Sequence, residues 1–142
     1  MKEVVSWALR LGLGGLFVVA GVLKLRDPGA FATDIANYQL LPQYAALLAA
    51  MLPAVEILAG LVLIAGPAPW RRSAAAAIAL MMVVFTVAAA SALARGIDIS
   101  CGCFGGESGR VDGLTIVRDV VLLAAAIAAV VLRATPRSAT PP

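Results

Sequence analysis

The sequence contains no histidine. That absence removes bis-imidazole haem ligation, most zinc and copper sites, and acid–base chemistry based on imidazole. Charge is also scarce. Only 13% of the 142 residues are Asp, Glu, Lys or Arg, against about 25% in a soluble domain, too few to cover a protein surface in water. Aromatic residues make up 6%, and no patch combines them with clustered basic residues, which argues against nucleic-acid binding. Cysteine is limited to Cys101 and Cys103, which fall in one tripeptide.

What is present is apolar. Hydrophobic residues reach 62% and the mean hydropathy is +0.98, so the lipid bilayer is the natural solvent. Four apolar runs, residues 4–25, 44–64, 73–93 and 114–132, each approach the ~20 residues that cross ~30 Å of hydrocarbon as a helix. None shows the period-two alternation of a membrane barrel strand. The expected fold is all-α, a four-transmembrane-helix bundle in a membrane domain of residues 1–133, followed by a disordered tail of residues 134–142 with Thr, Pro, Ser and Arg. The first run is too long for a signal-peptide core and no clean small-residue cleavage site follows it, so it reads as a retained span.

Turn chemistry separates the runs. Arg26-Asp27-Pro28-Gly29 stops the first span. Residues 30–42 suit a short interfacial helix, with Tyr38 and Tyr44 at the headgroup level. Residues 66–72 read as a tight basic turn, and residues 96–113 as a polar, Gly-rich loop carrying the cysteines.

The net charge is +3 and the pI about 9.3, with basic residues mostly at the ends of the runs. Four spans put both termini on the side of the Arg71-Arg72 doublet. That side holds five basic residues (Lys2, Arg71, Arg72, Arg133, Arg137) against four opposite (Lys24, Arg26, Arg95, Arg110). The positive-inside rule, strongest in the short Arg71-Arg72 turn, gives cytoplasmic termini and an external cysteine loop in a cell (inner) membrane.

Besides Lys24 at the outer end of the first run, four ionisable residues lie within the runs: Arg10, Glu56, Arg118 and Asp119. An unpaired charge in lipid costs at least about 2.5–3.5 kcal/mol, so these should face the interior and pair. Depth along the spans predicts an Arg10–Glu56 pair and a Lys24–Asp119 pair. Arg118 would then point toward the cysteine loop, where its charge would stabilise a thiolate or hold an anionic quinol. Pro53 frees a carbonyl near Glu56. Gly12, Gly14, Gly15 and Gly21 suit close helix approach.

The loop reads Ile99-Ser100-Cys101-Gly102-Cys103-Phe104-Gly105-Gly106. Two cysteines one residue apart can close a small, strained ring, which makes an oxidising disulfide, and Gly102 gives the backbone the freedom to do so. A Cu(I) site is the second reading, although the loop has no Met or His, and no metal site is assigned. A purely structural disulfide is the third, and would stabilise little because it closes almost no loop.

The segments Ala20-Gly21-Val22-Leu23-Lys24-Leu25 with Asp27-Pro28 and Phe31, Asn37-Tyr38-Gln39-Leu40-Leu41-Pro42, Leu52-Pro53 with Glu56 and Gly60, and Arg95-Gly96 followed by Cys101-Gly102-Cys103-Phe104-Gly105 resemble the methylamine utilisation MauE family, within the wider DoxX-like membrane proteins. The resemblance covers nearly all of the chain except the tail. It implies a four-helix membrane bundle that supports maturation of a disulfide-rich periplasmic quinoprotein dehydrogenase with a thioredoxin-like partner. The architecture is also similar to that of membrane enzymes that make disulfides and pass electrons to quinone. Those usually carry two cysteine pairs, whereas this chain has one.

The sequence therefore predicts a membrane thiol–disulfide redox protein with Cys101 and Cys103 as the reacting pair. Arg118, Lys24, Glu56, Asp119 and Arg10 are its supporting residues, a thioredoxin-like protein or client thiols its partner, and quinone its candidate cofactor. The alternatives are a non-catalytic membrane anchor or assembly subunit of a redox complex, and a Cu(I)-handling membrane protein.

Overall fold

In the computed structural model, residues 1–101 and 109–132 are described; Cys103 and the tail beyond Leu132 lie outside them. The described residues form five α-helices: α1 (Lys2–Arg26), α2 (Pro28–Asn37), α3 (Ala45–Ala65), α4 (Ala68–Ala94) and α5 (Gly113–Val131). A 3₁₀ turn, Pro42–Tyr44, leads into α3. Four segments are long and apolar enough to cross a membrane: α1, α3 with its preceding turn, α4 and α5. The chain is a multi-pass membrane protein, and the four expected spans are present.

Local chemistry sets the helix ends. Asp27 ends α1 and starts α2, its carboxylate accepting from the Ala30 N–H at 2.9 Å with Pro28 in the first turn. The expected stop is therefore also a start, and the short helix after it forms. Gly96 sits at φ +66 just past α4. Its N–H donates to the Leu93 carbonyl and that of Ile97 to the Ala92 carbonyl, a Schellman ending that glycine accommodates without strain. Asp112 caps α5 by accepting from the Thr115 N–H at 2.8 Å, and this bond holds its carboxyl below the ordinary range. The basic turn at 66–72 is shorter than expected. Pro67 caps α4, so Arg71 and Arg72 lie on its first turns.

Antiparallel α1 and α3 make the most extensive helix pair, followed by α4 with α5 and α3 with α4, while α1 meets α5 more lightly. The α1–α3 contact runs on glycine. A Cβ on Gly14 would lie 2.9 Å from the Gly60 carbonyl oxygen, and one on Gly21 would lie 2.7 Å from that of Pro53. Backbones this close leave no room for side chains. Gly12 and Gly15, also expected at a helix contact, face away: a Cβ on either would meet nothing within 4 Å.

The main core gathers Leu13 and Phe17 of α1, Leu63 of α3, Ile78 and Met82 of α4, and small residues such as Ala126 of α5. Large apolar side chains such as Leu58, Leu80 and Val121 stay more than half exposed. That arrangement suits a lipid solvent, where burying Leu gains little and close backbone packing gains more.

Candidate functional site

The bundle has two ends. One carries the N-terminus and the α3–α4 turn; the other carries α2 and the loop from α4 to α5. Cys101 lies at the second end, buried at 6% exposure in a small cluster with Ala89, Ala92, Ile99 and Val111. Its backbone is pinned on both sides. The Cys101 N–H donates to the Gly109 carbonyl at 3.0 Å and the Val111 N–H to the Ile99 carbonyl at 3.0 Å, an antiparallel bridge across the loop. The Tyr38 hydroxyl donates to the Cys101 carbonyl at 2.9 Å. Cys101 is not a free thiol.

Arg118, in the second turn of α5, reaches the sulfur, with one guanidinium nitrogen 3.3 Å from Cys101 Sγ. The adjacent Asp119 steadies it, accepting from Arg118 at 3.0 and 3.2 Å. The expected direction of Arg118 is thus observed. A guanidinium at this distance favours sulfur as thiolate over thiol.

The expected charge pairs are not formed. Lys24, not Arg10, is the partner of Glu56, with Nζ 2.5 Å from Oε1 and both side chains at most 2% exposed. The Lys24–Asp119 pair is absent because Lys24 is engaged there and Asp119 holds Arg118. Arg10 lies at the other end of the bundle. Its guanidinium donates to the carbonyls of Leu63 and Ile64 in the last turn of α3 and sits over the Trp7 ring at 4.5 Å. Those carbonyls have no intrahelical partner, so Arg10 finishes α3 electrostatically. The cause is register. Gly14 on Gly60 and Gly21 on Pro53 bring Arg10 level with Ile64, leaving Glu56 eight residues or about 12 Å farther along α3.

Two cavities flank this end. The smaller, about 30 Å³, is lined by Lys24, Glu56, Arg118 and Asp119 with Phe17 and Met82. Glu56 Oε2 and Asp119 Oδ2 are buried and have no hydrogen-bond partner among the described residues. The larger, about 140 Å³, lies between α2, α3 and α4, with Cys101, Lys24, Asp34 and Tyr38 set among apolar side chains such as Leu52 and Phe85. Lys24 borders both, its ammonium 5.1 and 5.2 Å from the ring centres of Phe31 and Phe85.

Sequence reasoning missed the contribution of α2. Asp34 accepts from the Ser100 hydroxyl at 2.7 Å, and Arg95 donates to the Tyr38 carbonyl at 2.5 Å. Burial, with Asp119 and Asp34 nearby, pushes the Tyr38 hydroxyl up to about 12 against the opposing charge of Arg118. The available signal was spacing. Asp34 of α2 stands four residues before Tyr38, which caps the helix in αR conformation, hence on one face, but nothing in the sequence said that this face meets the cysteine loop. Cys103, the other predicted reacting residue, lies outside the described residues. Among the described residues, no three potential metal-ligating His, Cys, Asp or Glu residues converge.

The family model described as methylamine utilisation protein MauE matches residues 2–132 of the chain. A curated relative, the methylamine utilization protein MauE of Paracoccus denitrificans, is 38% identical over 133 residues, spanning 90% of this chain and 69% of the relative. No solved structure matches.

Proposed function

The chain belongs to the methylamine utilisation MauE family, and from that premise we propose that it is an accessory membrane protein of methylamine utilisation that exchanges disulfides with a partner. Cys101 and Cys103 are the reacting pair. The chain has two cysteines, so a disulfide within it can only join these two. The observation that carries this reading is the 3.3 Å contact of Arg118 with Cys101 Sγ.

In exchange, a thiolate attacks one sulfur of a disulfide and the other leaves, faster when its thiolate is stabilised. Buried Cys101 is poorly placed to meet a bulky protein thiol but well placed to leave as a thiolate beside Arg118. Attack therefore falls on Cys103, and Arg118, steadied by Asp119, holds the charge that develops on Cys101. The partner is a thioredoxin-like protein or the thiols of a client. The cysteine end faces outward from the inner membrane and the termini face the cytoplasm, in accord with the Arg71-Arg72 doublet.

Quinone is the acceptor class that suits the larger cavity. Its walls are apolar, Cys101 borders it, and Asp34 Oδ2, buried without a partner among the described residues, can accept a hydroxyl proton. Bound there, a quinone supplies a two-electron, two-proton sink.

The test is a thiol-trapping redox titration of the purified chain against a thioredoxin-like protein, with and without a quinone. We expect a reversible two-electron transition abolished by Cys101→Ser or Cys103→Ser. A pair that stays unreactive at every potential would leave the anchor reading in its place, and stoichiometric Cu(I) bound through both sulfurs would favour the copper reading.

A further inference from the structure

We propose that Glu56 and Asp119 form a proton-accepting site, bridged by buried water in the smaller cavity, which takes up one proton when Cys101 is released as a thiolate. The inference rests on the exchange chemistry proposed above.

Three observations converge. First, two carboxylates, each 1% exposed, border the same cavity and each has one oxygen without a partner among the described residues. A buried acceptor left unpaired is costly. Water has two donors, one for each oxygen, and about 30 Å³ holds one or two waters by the ~10–15 Å³ criterion.

Second, the charges balance. Lys24 and Arg118 offset Glu56 and Asp119 around the cavity. Of the elements packed there, α1 contributes Lys24, α3 Glu56 and α5 Arg118 and Asp119, while α4 contributes only Met82 and Phe85. Beyond the cavity, α2 presents Asp34 and Tyr38 and the loop presents Cys101. Tyr38 stays protonated below about pH 12, and Asp34 is engaged with Ser100.

Third, the sulfur is joined to this group through one side chain. Arg118 touches both Cys101 Sγ and Asp119 Oδ1. A thiolate at Cys101 adds one buried negative charge and draws on the guanidinium that Asp119 shares. An uncompensated charge in this interior is costly, and one proton on the carboxylates restores the balance.

The step is complete in atoms and electrons. A partner dithiol gives two electrons to the Cys101–Cys103 disulfide and becomes a disulfide itself. The Cys101–Cys103 bond breaks. Of the two protons the partner loses, one ends on the Cys103 sulfur and one on the Glu56–Asp119 pair, with Cys101 left as a thiolate. Reoxidation returns both.

The experiment reduces the purified full-length protein with a small dithiol in weakly buffered detergent solution. Proton release is read with an indicator dye and carboxyl groups by difference infrared spectroscopy. For the wild type we expect a carboxylic-acid carbonyl band to appear on reduction, with about one proton retained per disulfide beyond that on Cys103. Asp119→Asn and Glu56→Gln should each lower that retention and shift or remove the band, and Asp119→Asn serves where Glu56→Gln fails to fold. An unchanged band and proton count in Asp119→Asn would overturn the inference while leaving exchange intact. No reduction by any dithiol would overturn the exchange reading and, with it, the proton site.

Discussion

The charges that α1 and α3 bury at the two ends of the bundle are treated in opposite ways. At the terminal end, Arg10 is satisfied by backbone carbonyls and an aromatic face. Its donors find acceptors that any helix end offers, and among the described residues no carboxylate is involved. At the cysteine end, Lys24, Glu56, Arg118 and Asp119 surround a cavity, two carboxylate oxygens lack a partner among the described residues, and a sulfur lies against the guanidinium. The same two helices, α1 and α3, supply a charge that completes structure at one end and charges that are incompletely satisfied at the other. A buried polar oxygen left unsatisfied calls for an explanation, and the cavity beside these two leaves room for water, a proton or a ligand.

That contrast can be tested by mutation. The largest effect should come from Lys24→Met, which strands Glu56 as a buried charge. Breaking such a pair costs about 3–5 kcal/mol, measurable as lost resistance to denaturation in detergent, and Lys24→Met combined with Glu56→Met should recover much of it. Arg10→Met should cost less, about 2 kcal/mol for bonds to a charged donor, and should leave thiol exchange at the far end unchanged. A change in exchange rate there would show that the two ends are coupled.

Gly60→Ala should lose about 1–3 kcal/mol by overpacking, since its Cβ would lie 2.6 Å from the Gly14 carbonyl oxygen. Gly12→Ala, with open space around it, should be neutral or slightly stabilising. Arg118→Met should slow exchange about threefold to tenfold by destabilising the departing thiolate and should also lower stability, because it strands the buried carboxylate of Asp119, with partial rescue of both by Arg118→Lys.

The smallest effect concerns Tyr38. Its folded-state pKa of about 12 lies above the ordinary value near 10. The stabilisation this implies is therefore fully present below about pH 10 and is lost as pH rises through about 12. Tyr38→Phe should flatten that alkaline limb in a denaturation series.

The spans were legible because apolar run length is a one-dimensional property, and it survives folding unchanged. The charge pairs were not. Depth counted from the ends of apolar runs assumed that the runs align with one another. The structure aligns the helices instead by where their backbones can touch, at Gly14 and Gly21. Glu56 lies over Gly21, one turn from Lys24, and a long side chain on a helix leans back toward the helix N-terminus. Reading the small residues first would have set the register and then the pairs. Arg118 was legible because it needed only proximity to the loop along α5. The part played by α2 was not, since a short helix on the rim carries no signal of what it leans against.

The Lys24–Glu56 pair also bears on how two spans could enter a bilayer. The partners are thirty-two residues apart, and α1 enters the bilayer first. Lys24 stands in its last turn, where a long amine can reach the headgroups while it waits. Glu56 lies in the middle of α3 and has no such refuge. If the second span entered the lipid as half of a hairpin with the first, its carboxylate would meet an ammonium already in position.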